Sequence, residues 1–377
     1  PTGSVLTATY TVSNAGGFQA SSIAGSGLAA PYSFVGGSFP GTGGNCGATL
    51  NSGASCNIVI EYAPIAVSGA DNDILLIDYN DGVVGQQSSK DLQAVAVAPA
   101  TLTITESNPY NFGTLATGST NPHTFTIENT GGFQATSLLE NGIAAPYRYF
   151  GGSYPGTGGD CAATLAAGAT CDIVLEYAPT VPGTHNDTIT MNYFDGVNSQ
   201  ASNRDITGTG VNPANLTITE SDPYDYGSLA VGATRGHTFT VTNGGNFQAS
   251  SISEVGLGLP FRFVGGSFPG AGGNCTATLA PSASCDIRVE FAPSGTGLAT
   301  STISLSYNNG AVTVTSDRDI QGTGAAAAFI TISEVDPYDY GSVTVNATRS
   351  HTFTLNNTGG VTATGMGGGG LASPFNF

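Results

Sequence analysis

The sequence of this 377-residue chain repeats itself with a period of about 115 residues. The phrase GGNCGATLNSGASCNIVIEYAP returns as GGDCAATLAAGATCDIVLEYAP and again as GGNCTATLAPSASCDIRVEFAP. A period of this length is too long for a solenoid unit and is that of one complete small domain. The chain is therefore predicted to be a string of similar domains, each with a core of its own.

Other phrases keep the same step. HTFTIENTGG, HTFTVTNGGN and HTFTLNNTGG begin at His123, His237 and His351, and the linkers GTGVNPA and GTGAAAA separate the copies. We expect the chain to be a window of a longer repetitive polypeptide, because neither end respects the repeating unit. The predicted domains are a first repeat without its opening strand (1–98), two complete repeats (99–212 and 213–326), and the opening fragment of a further repeat (327–377).

Within a repeat, apolar and polar residues alternate with a period of two, as at Leu102 and Ile104 or at Phe125 and Ile127. This pattern is typical of half-buried strands, and no segment shows sustained helical spacing. YNDG, YFDG and YNNG lie between strand-like runs, where Asp-Gly and Asn-Gly allow tight hairpins. About seven strands in roughly 110 residues is the size of an immunoglobulin-like sandwich. The predicted fold class is all-β, with tandem immunoglobulin-like β-sandwich domains.

The charge of the chain excludes several classes of partner. Its formal net charge is −18, from 8 basic and 26 acidic residues. Binding to nucleic acid requires basic side chains that replace phosphate counterions, so it is not expected, and adhesion to an anionic membrane is disfavoured in the same way. No apolar run reaches the 18 or so residues of a membrane span. An acidic surface with few lysines is typical of a secreted or cell-surface protein that stays soluble by self-repulsion.

Each complete copy of the repeated phrase carries two cysteines ten positions apart. Zinc would need four ligands, but each copy supplies two cysteines and no histidine at metal-site spacing. A redox dithiol would usually read Cys-x-x-Cys. The favoured interpretation is a structural disulfide across a hairpin or a strand–loop–strand turn, which indicates an oxidising, extracellular location. The predicted pairs are Cys46–Cys56, Cys161–Cys171 and Cys275–Cys285.

Four short motifs of the second copy occur in a fixed order. They are the Asn-Thr-Gly-Gly turn at 129–132, Gly-Ala-Thr-Cys at 168–171, Tyr-Ala-Pro at 177–179 followed by Gly183, and Gly-Thr-Gly at 208–210. In this order the repeat resembles bacterial choice-of-anchor D domains, relatives of the ASPM/SPD-2/Hydin (ASH) domains. The resemblance implies an immunoglobulin-like fold and a spacer role in large surface or secreted proteins, with no catalytic residues. The first copy departs from the pattern, since AVAVAPA lacks Gly-Thr-Gly.

Two acidic phrases, ESDPYDYG and EVDPYDYG, lie just after the linkers. Calcium takes six to eight oxygen ligands, so clustered carboxylates at a domain junction predict a calcium site that stiffens the joint. The alternative is a proline-centred turn with solvated acids, because the second copy reads ESNPYNFG. No other cofactor is expected. The candidate calcium ligands are Glu220, Asp222, Asp225, Glu334, Asp336 and Asp339.

A glycine-rich loop with regularly placed aromatic residues also recurs, as PYSFVGGSFPGTGG, PYRYFGGSYPGTGG and PFRFVGGSFPGAGG. Exposed aromatic rings on such a loop can bind sugars or neighbouring chains. The favoured alternative is that the aromatic side chains fill the core while the glycines form a bulge. The candidate interaction residues are Phe34, Phe39, Tyr149, Tyr154, Phe263 and Phe268.

The remaining polar residues do not predict catalysis. No Ser-His-Asp or Cys-His arrangement recurs, and the three repeated histidines share strand parity with core phenylalanines, which favours a structural role at the edge of the core. Two charged sets also recur, and a cross-strand ion pair between them is predicted. The sets are Glu61, Glu176 and Glu290 on one side and Lys90, Arg204 and Arg318 on the other.

These features together predict a non-catalytic stalk or fibre segment of a large, repetitive, extracellular bacterial surface or filament protein. Its expected partners are neighbouring repeats or other copies of the same protein. One alternative is an adhesin whose repeats bind a glycan or protein ligand on a host or other surface. Another is a set of spacer repeats in a secreted enzyme whose catalytic domain lies outside this sequence. Near-identical loops in all copies favour the fibre, whereas one strongly divergent loop would favour a receptor site.

Overall fold

The computed structural model describes residues 1–377, and all its regular elements are β-strands. The prediction of an all-β chain of tandem immunoglobulin-like sandwiches is confirmed. The structure contains no helix of the length and apolarity needed to cross a membrane. We call the sandwiches repeat 1 (1–98), repeat 2 (99–212) and repeat 3 (213–326), and the remaining residues the C-terminal segment (327–377).

The chain divides into two compact units. Repeat 1 lies wholly in the first unit and repeat 3 wholly in the second, whereas repeat 2 contributes residues to both. The first unit comprises Pro1–Gly113, Thr120–Ala178 and Thr184–Thr209, and the second comprises Thr114–Ser119, Pro179–Gly183 and Gly210–Phe377.

Repeat 1 contains seven strands in two sheets. The strands are β1 (Leu6–Ser13), β2 (Ala20–Ser26), β3 (Tyr32–Phe34), β4 (Thr49–Leu50), β5 (Ser55–Tyr62), β6 (Ser68–Asn80) and β7 (Gly85–Ala96). One sheet has the order β1-β5-β3, and the other has the order β4-β2-β6-β7.

Repeat 2 has the same seven strands and two more that precede them in the chain. The strands are β8 (Leu102–Ile104), β9 (Tyr110–Ala116), β10 (Asn121–Asn129), β11 (Ala135–Glu140), β12 (Tyr147–Tyr149), β13 (Thr164–Leu165), β14 (Thr170–Tyr177), β15 (Gly183–Phe194) and β16 (Ser199–Val211). The sheet orders are β12-β14-β10-β8 and β13-β11-β15-β16-β9, so β8 and β9 each add an edge strand to one sheet.

Repeat 3 has the architecture of repeat 2 with eight strands, because an isolated bridge between Ala249 and Leu279 replaces the short strand β13. In it, β18 pairs with β24 in parallel. The strands are β17 (Leu216–Ile218), β18 (Tyr224–Ala230), β19 (Arg235–Asn243), β20 (Ser250–Glu254), β21 (Phe261–Phe263), β22 (Ser284–Phe291), β23 (Gly297–Asn308) and β24 (Thr313–Ala325). The sheet orders are β17-β19-β22-β21 and β18-β24-β23-β20. In the C-terminal segment, β25 (Ile330–Ile332) pairs with β26 (Leu355–Asn357), as β17 pairs with β19.

The core of a repeat follows from the alternation in its central strands. In β22, Cys285, Ile287, Val289 and Phe291 are buried, and the polar residues between them face outward. The rings of Phe261 and Phe291 stack with their centroids 4.9 Å apart. Full burial of one such side chain contributes about 1.5–3 kcal/mol, so this layer of residues stabilises the core of the repeat.

Candidate functional site

The three predicted disulfides are formed, and no free cysteine remains. In repeat 2 the Cα atoms of Cys161 and Cys171 are 4.8 Å apart, and both residues are buried. The short strand between them, β13, pairs with β11 in one sheet, while β14 belongs to the other sheet. Of the two geometries predicted, the strand–loop–strand turn is the one formed, and the disulfide closes the segment that crosses between the sheets.

An asparagine at the end of β10 links three parts of repeat 2. Asn129 is fully buried, and its Nδ2 donates to the carbonyl oxygens of Phe133, Leu165 and Ala166 at 2.8–3.2 Å. Its Oδ1 accepts the backbone N–H of Thr101 at 3.2 Å and that of Gly131 at 3.1 Å. A buried polar side chain is tolerated only when such bonds satisfy it, and this one satisfies five backbone groups in return.

The same arrangement recurs in repeat 3 around Asn243, whose Nδ2 donates to three carbonyl oxygens at 2.9–3.3 Å. Two positions after each of these asparagines stands a glycine, and the close approach of the linker backbone requires it. A Cβ on Gly131 would lie 2.2 Å from the carbonyl oxygen of Pro99, and one on Gly245 would lie 2.0 Å from that of Pro213. The turn is therefore a clamp that holds the incoming linker against its repeat, which sequence reasoning missed. The recurrence of the asparagine before each glycine pair was the available signal.

The candidate calcium ligands of repeat 3 do not converge. Glu220 Oε1 accepts the backbone N–H of Thr240 at 3.0 Å, and Asp225 Oδ1 accepts that of Gly227 at 2.7 Å. Asp222 Oδ1 accepts the N–H of Asp319, and its other oxygen lies 3.4 Å from Arg318 Nη1. The structure contains no group of three or more acidic, histidine or cysteine side chains placed to hold a metal ion.

The C-terminal segment shows the same local use of its acids. Glu334 Oε1 accepts the N–H of Thr354 at 2.9 Å, and Asp339 Oδ1 accepts that of Gly341 at 2.7 Å. Asp336 is exposed. These hydrogen bonds are those of a structured turn, which is the alternative that the sequence left open, and calcium binding stays an untested prediction.

The predicted ion pair between the two recurring charged sets is wrong. Glu176 pairs instead with Arg148 at 2.7 Å, and Glu290 pairs with Arg262 at 2.6 Å, in each case across neighbouring strands. Arg204 donates to the carbonyl oxygen of Ile104. The reason is topological, because Glu176 lies on β14 and Arg204 on β16, which belong to different sheets.

The recurring histidines lie at the edge of the core, each stacked on a tyrosine. The ring centroids of His123 and Tyr110 are 4.0 Å apart, and those of His237 and Tyr224 are 4.1 Å apart. Burial lowers the pKa of both histidines, although a nearby glutamate opposes the shift. A neutral imidazole that packs against an aromatic ring fits the structural role.

The aromatic residues of the glycine-rich loops pair with each other inside each repeat. The rings of Phe34 and Phe39 meet edge-to-face at 5.7 Å, and those of Phe263 and Phe268 do so at 5.6 Å. Phe34 and Phe263 are buried, and their partners are half-buried. The residues of the loop that face solvent include Gly36 and its equivalents rather than the rings. This placement agrees with the core-filling alternative.

Repeat 2 differs from its neighbours here, because Tyr149 and Tyr154 replace the phenylalanines. The Tyr149 hydroxyl donates to Glu140, a buried carboxylate on β11. Glu140 Oε1 and the Tyr154 hydroxyl are both buried without a hydrogen-bond partner. The equivalent residue of repeat 1 is Gly25, where a Cβ would lie 2.4 Å from the Phe39 ring. The polar group of repeat 2 therefore occupies space that repeat 1 fills with two phenylalanines.

Stability of repeat 2 is expected to fall as the pH rises, because burial raises the pKa of Glu140 above its ordinary value of 4.5. The folded repeat then holds the proton more tightly than the unfolded chain does. The resulting contribution is fully present below pH 4.5 and is lost as the pH rises through the folded-state pKa. Glu140→Gln should remove this dependence and gain stability relative to the wild type at pH 7.

The measurement is urea unfolding between pH 4 and pH 8, monitored by hydrogen exchange so that each repeat is observed separately. Glu254→Gln is the matched control, since Glu254 holds the equivalent position beside Phe263 rather than a tyrosine. A wild-type and a Glu140→Gln chain with the same pH profile for repeat 2 would contradict the prediction.

Comparison with known proteins agrees with this class of fold. Residues 217–322, nearly all of repeat 3, match the family model described as HYDIN/CFA65/VesB-like, Ig-like domain. A search of curated proteins finds no match. The chain is thus a protein of tandem immunoglobulin-like repeats, one of which is similar to the Ig-like domains of that family.

Solved structures similar to the chain are distant. The ASH / PapD-like domain 7 of human CEP192 is 11% identical, with a TM-score of 0.23, and the alignment covers 31% of this chain and 87% of that one. Extracellular cadherin domains 1–4 of protocadherin gamma B7 are 9% identical, with a TM-score of 0.33, covering 90% and 76%. A Porphyromonas gingivalis W83 protein of unknown function is 13% identical, with a TM-score of 0.22, covering 60% and 98%.

Proposed function

We propose that this chain is a non-catalytic structural segment, a stalk or fibre, of a large repetitive extracellular protein of the bacterial choice-of-anchor D type. The observation that carries the proposal is that equivalent side chains make equivalent structural contacts in successive copies. Asn129 and Asn243 clamp the linkers with bonds of nearly the same length, and each repeat has its own core and its own disulfide. Repeats of this kind add length without adding a new site.

The disulfides support the extracellular location, because such bonds persist in oxidising compartments. The side chains that could do chemistry are occupied in the structure. The histidines stack on tyrosines, and the acids of the junction turns accept backbone hydrogen bonds. The non-enzymatic role is proposed on this basis.

Electron microscopy and small-angle scattering of the purified chain test the proposal. A stalk gives an elongated particle with one similar rotation between successive repeats. A compact particle whose repeats fold around a shared cleft contradicts it and makes the cleft the place to seek a ligand. The calcium prediction is tested by adding a chelator. Loss of an ion at the domain junction would lower the melting temperature in thermal unfolding and would make the particle more flexible in scattering.

A further inference from the structure

Asparagine followed by glycine occurs three times in the chain, at Asn141, Asn243 and Asn309. This dipeptide is prone to spontaneous deamidation, in which the backbone nitrogen of the glycine attacks the side-chain amide carbon of the asparagine. Glycine favours the attack because it has no Cβ to shield its nitrogen or to restrict its backbone. A fold can prevent the attack by holding both reacting groups in hydrogen bonds, so the three sites are not expected to react alike.

Both reacting groups are held at Asn243. Its side chain is fully buried, its Nδ2 donates to three carbonyl oxygens, and its Oδ1 accepts the N–H groups of Asn215 and Gly245 at 3.1 and 3.0 Å. The N–H of Gly244, which would have to attack, donates to the carbonyl oxygen of Asn215 at 2.8 Å. Several hydrogen bonds must therefore break before the Gly244 nitrogen can reach the amide carbon.

Asn309 is held in a different way, at the turn between β23 and β24. Its Oδ1 accepts the N–H groups of Ala311 and Val312, both at 2.9 Å. The N–H of Gly310 donates to the side-chain oxygen of Asn308 at 2.8 Å. The turn thus binds the Asn309 amide to residues beyond the glycine and occupies the glycine N–H with another partner.

Asn141 lies in the loop between β11 and β12 of repeat 2, and both it and Gly142 are exposed. No hydrogen bond in the structure holds the Asn141 side chain or the N–H of Gly142. Gly142 has a φ of 119°, and a Cβ added to it would meet nothing within 4 Å. The amide carbon and the nitrogen that would attack it are therefore free to approach each other.

We propose that Asn141 is a site of spontaneous deamidation in the folded protein, with water as the only co-reactant. The Gly142 nitrogen loses its proton to solvent and forms a bond to Cγ of Asn141. The bond from Cγ to the side-chain nitrogen breaks, and that nitrogen takes up a proton and leaves as ammonia. Water then opens the succinimide ring at either carbonyl, which yields aspartate or isoaspartate. Nothing is oxidised or reduced, and the chain gains one carboxylate.

The modification lies beside the buried carboxylate of repeat 2. Glu140 precedes Asn141 and pairs with Met191 in the last pair of β11. A new carboxylate adds a like charge close to Glu140, which makes the ionised form of Glu140 less favourable. Isoaspartate also inserts one more carbon into the backbone next to this strand pair. Deamidation is therefore expected to destabilise repeat 2 alone, because repeats 1 and 3 have Ser-Gly at 26–27 and Val-Gly at 255–256.

Peptide mapping of the full chain by mass spectrometry, during incubation at pH 8 and 37 °C, tests the proposal. Incubation in heavy-oxygen water labels the product, which separates deamidation in the folded chain from deamidation during digestion. We expect Asn141 to react at least about tenfold faster than Asn243 and Asn309, because only those two sites must first break several hydrogen bonds. A rate at Asn141 no higher than the rate at either other site overturns the proposal.

The chain unfolded in urea, with its disulfides reduced, is the control for local sequence. All three sites should then react at similar rates. If Asn141 reacts faster than the others by the same factor in the unfolded chain, the fold does not select it and the structural argument fails.

Asn141→Gln is the matched variant, because glutamine keeps the amide but must close a larger ring, which forms more slowly. After equal incubation, repeat 2 of the wild type should unfold at a lower urea concentration than repeat 2 of the variant. Repeats 1 and 3 should unfold alike in the two chains. A wild-type repeat 2 that is deamidated at Asn141 and yet as stable as that of the variant overturns the predicted effect on stability.

Discussion

Replacement of Asn129 by alanine is expected to destabilise repeat 2 by about 4 kcal/mol. The side chain makes five hydrogen bonds to buried or half-buried backbone groups, and truncation leaves those groups without partners. Each unsatisfied buried group costs about 1–3 kcal/mol, and local rearrangement recovers part of the sum. Urea unfolding, monitored by hydrogen exchange in each repeat, measures the loss of unfolding free energy in repeat 2 separately from that in repeat 3.

Two further variants sharpen this test. Asn243→Ala should produce the same loss in repeat 3, since the hydrogen bonds are equivalent. Asn14→Ala in repeat 1 should cost less, because Asn14 is half-buried and its side chain makes three hydrogen bonds where that of Asn129 makes five. Equal effects in all three repeats would show that the loss does not follow the number and burial of these hydrogen bonds.

The architecture of the repeats was predictable because it follows from local signals. Alternation in segments such as Phe125 to Ile127 marks strands, Asp-Gly and Asn-Gly mark hairpins, and the period marks the domain. The cysteine pairs were predictable in the same way, since each pair is repeated at fixed spacing. None of these inferences required knowledge of which strand lies beside which.

What could not be predicted depends on strand order. The ion pair assigned to Glu176 and Arg204 failed because periodicity does not show that their strands lie in different sheets. The role of Asn129 was missed for a similar reason, since its partners lie up to 37 positions away in the chain. The polar group of Glu140 and its two tyrosines carried a signal in the substitutions between copies, but only the packed core shows that they are neighbours.

Removal of the disulfide of repeat 2, by Cys161→Ala together with Cys171→Ala, is expected to destabilise that repeat by about 2–3 kcal/mol. The bond closes a loop with a sequence separation of 10, and a cross-link of this span removes that much conformational entropy from the unfolded chain. We expect the segment that crosses between the sheets to need this disulfide, because β13 contributes only two residues to its sheet.

Reduction supplies the internal control for this prediction. A reductant should lower the unfolding midpoint of repeat 2 in the wild type and leave that of the double variant unchanged, while repeats 1 and 3 respond equally in both chains. A double variant as stable as the wild type would mean that the sheets alone hold the crossing. A double variant whose repeat 2 still responds to the reductant would mean that the change in midpoint does not come from the Cys161–Cys171 disulfide, since that variant lacks it. The expected pattern also bears on location, because a repeat that depends on its disulfide keeps its full stability only where that bond stays oxidised.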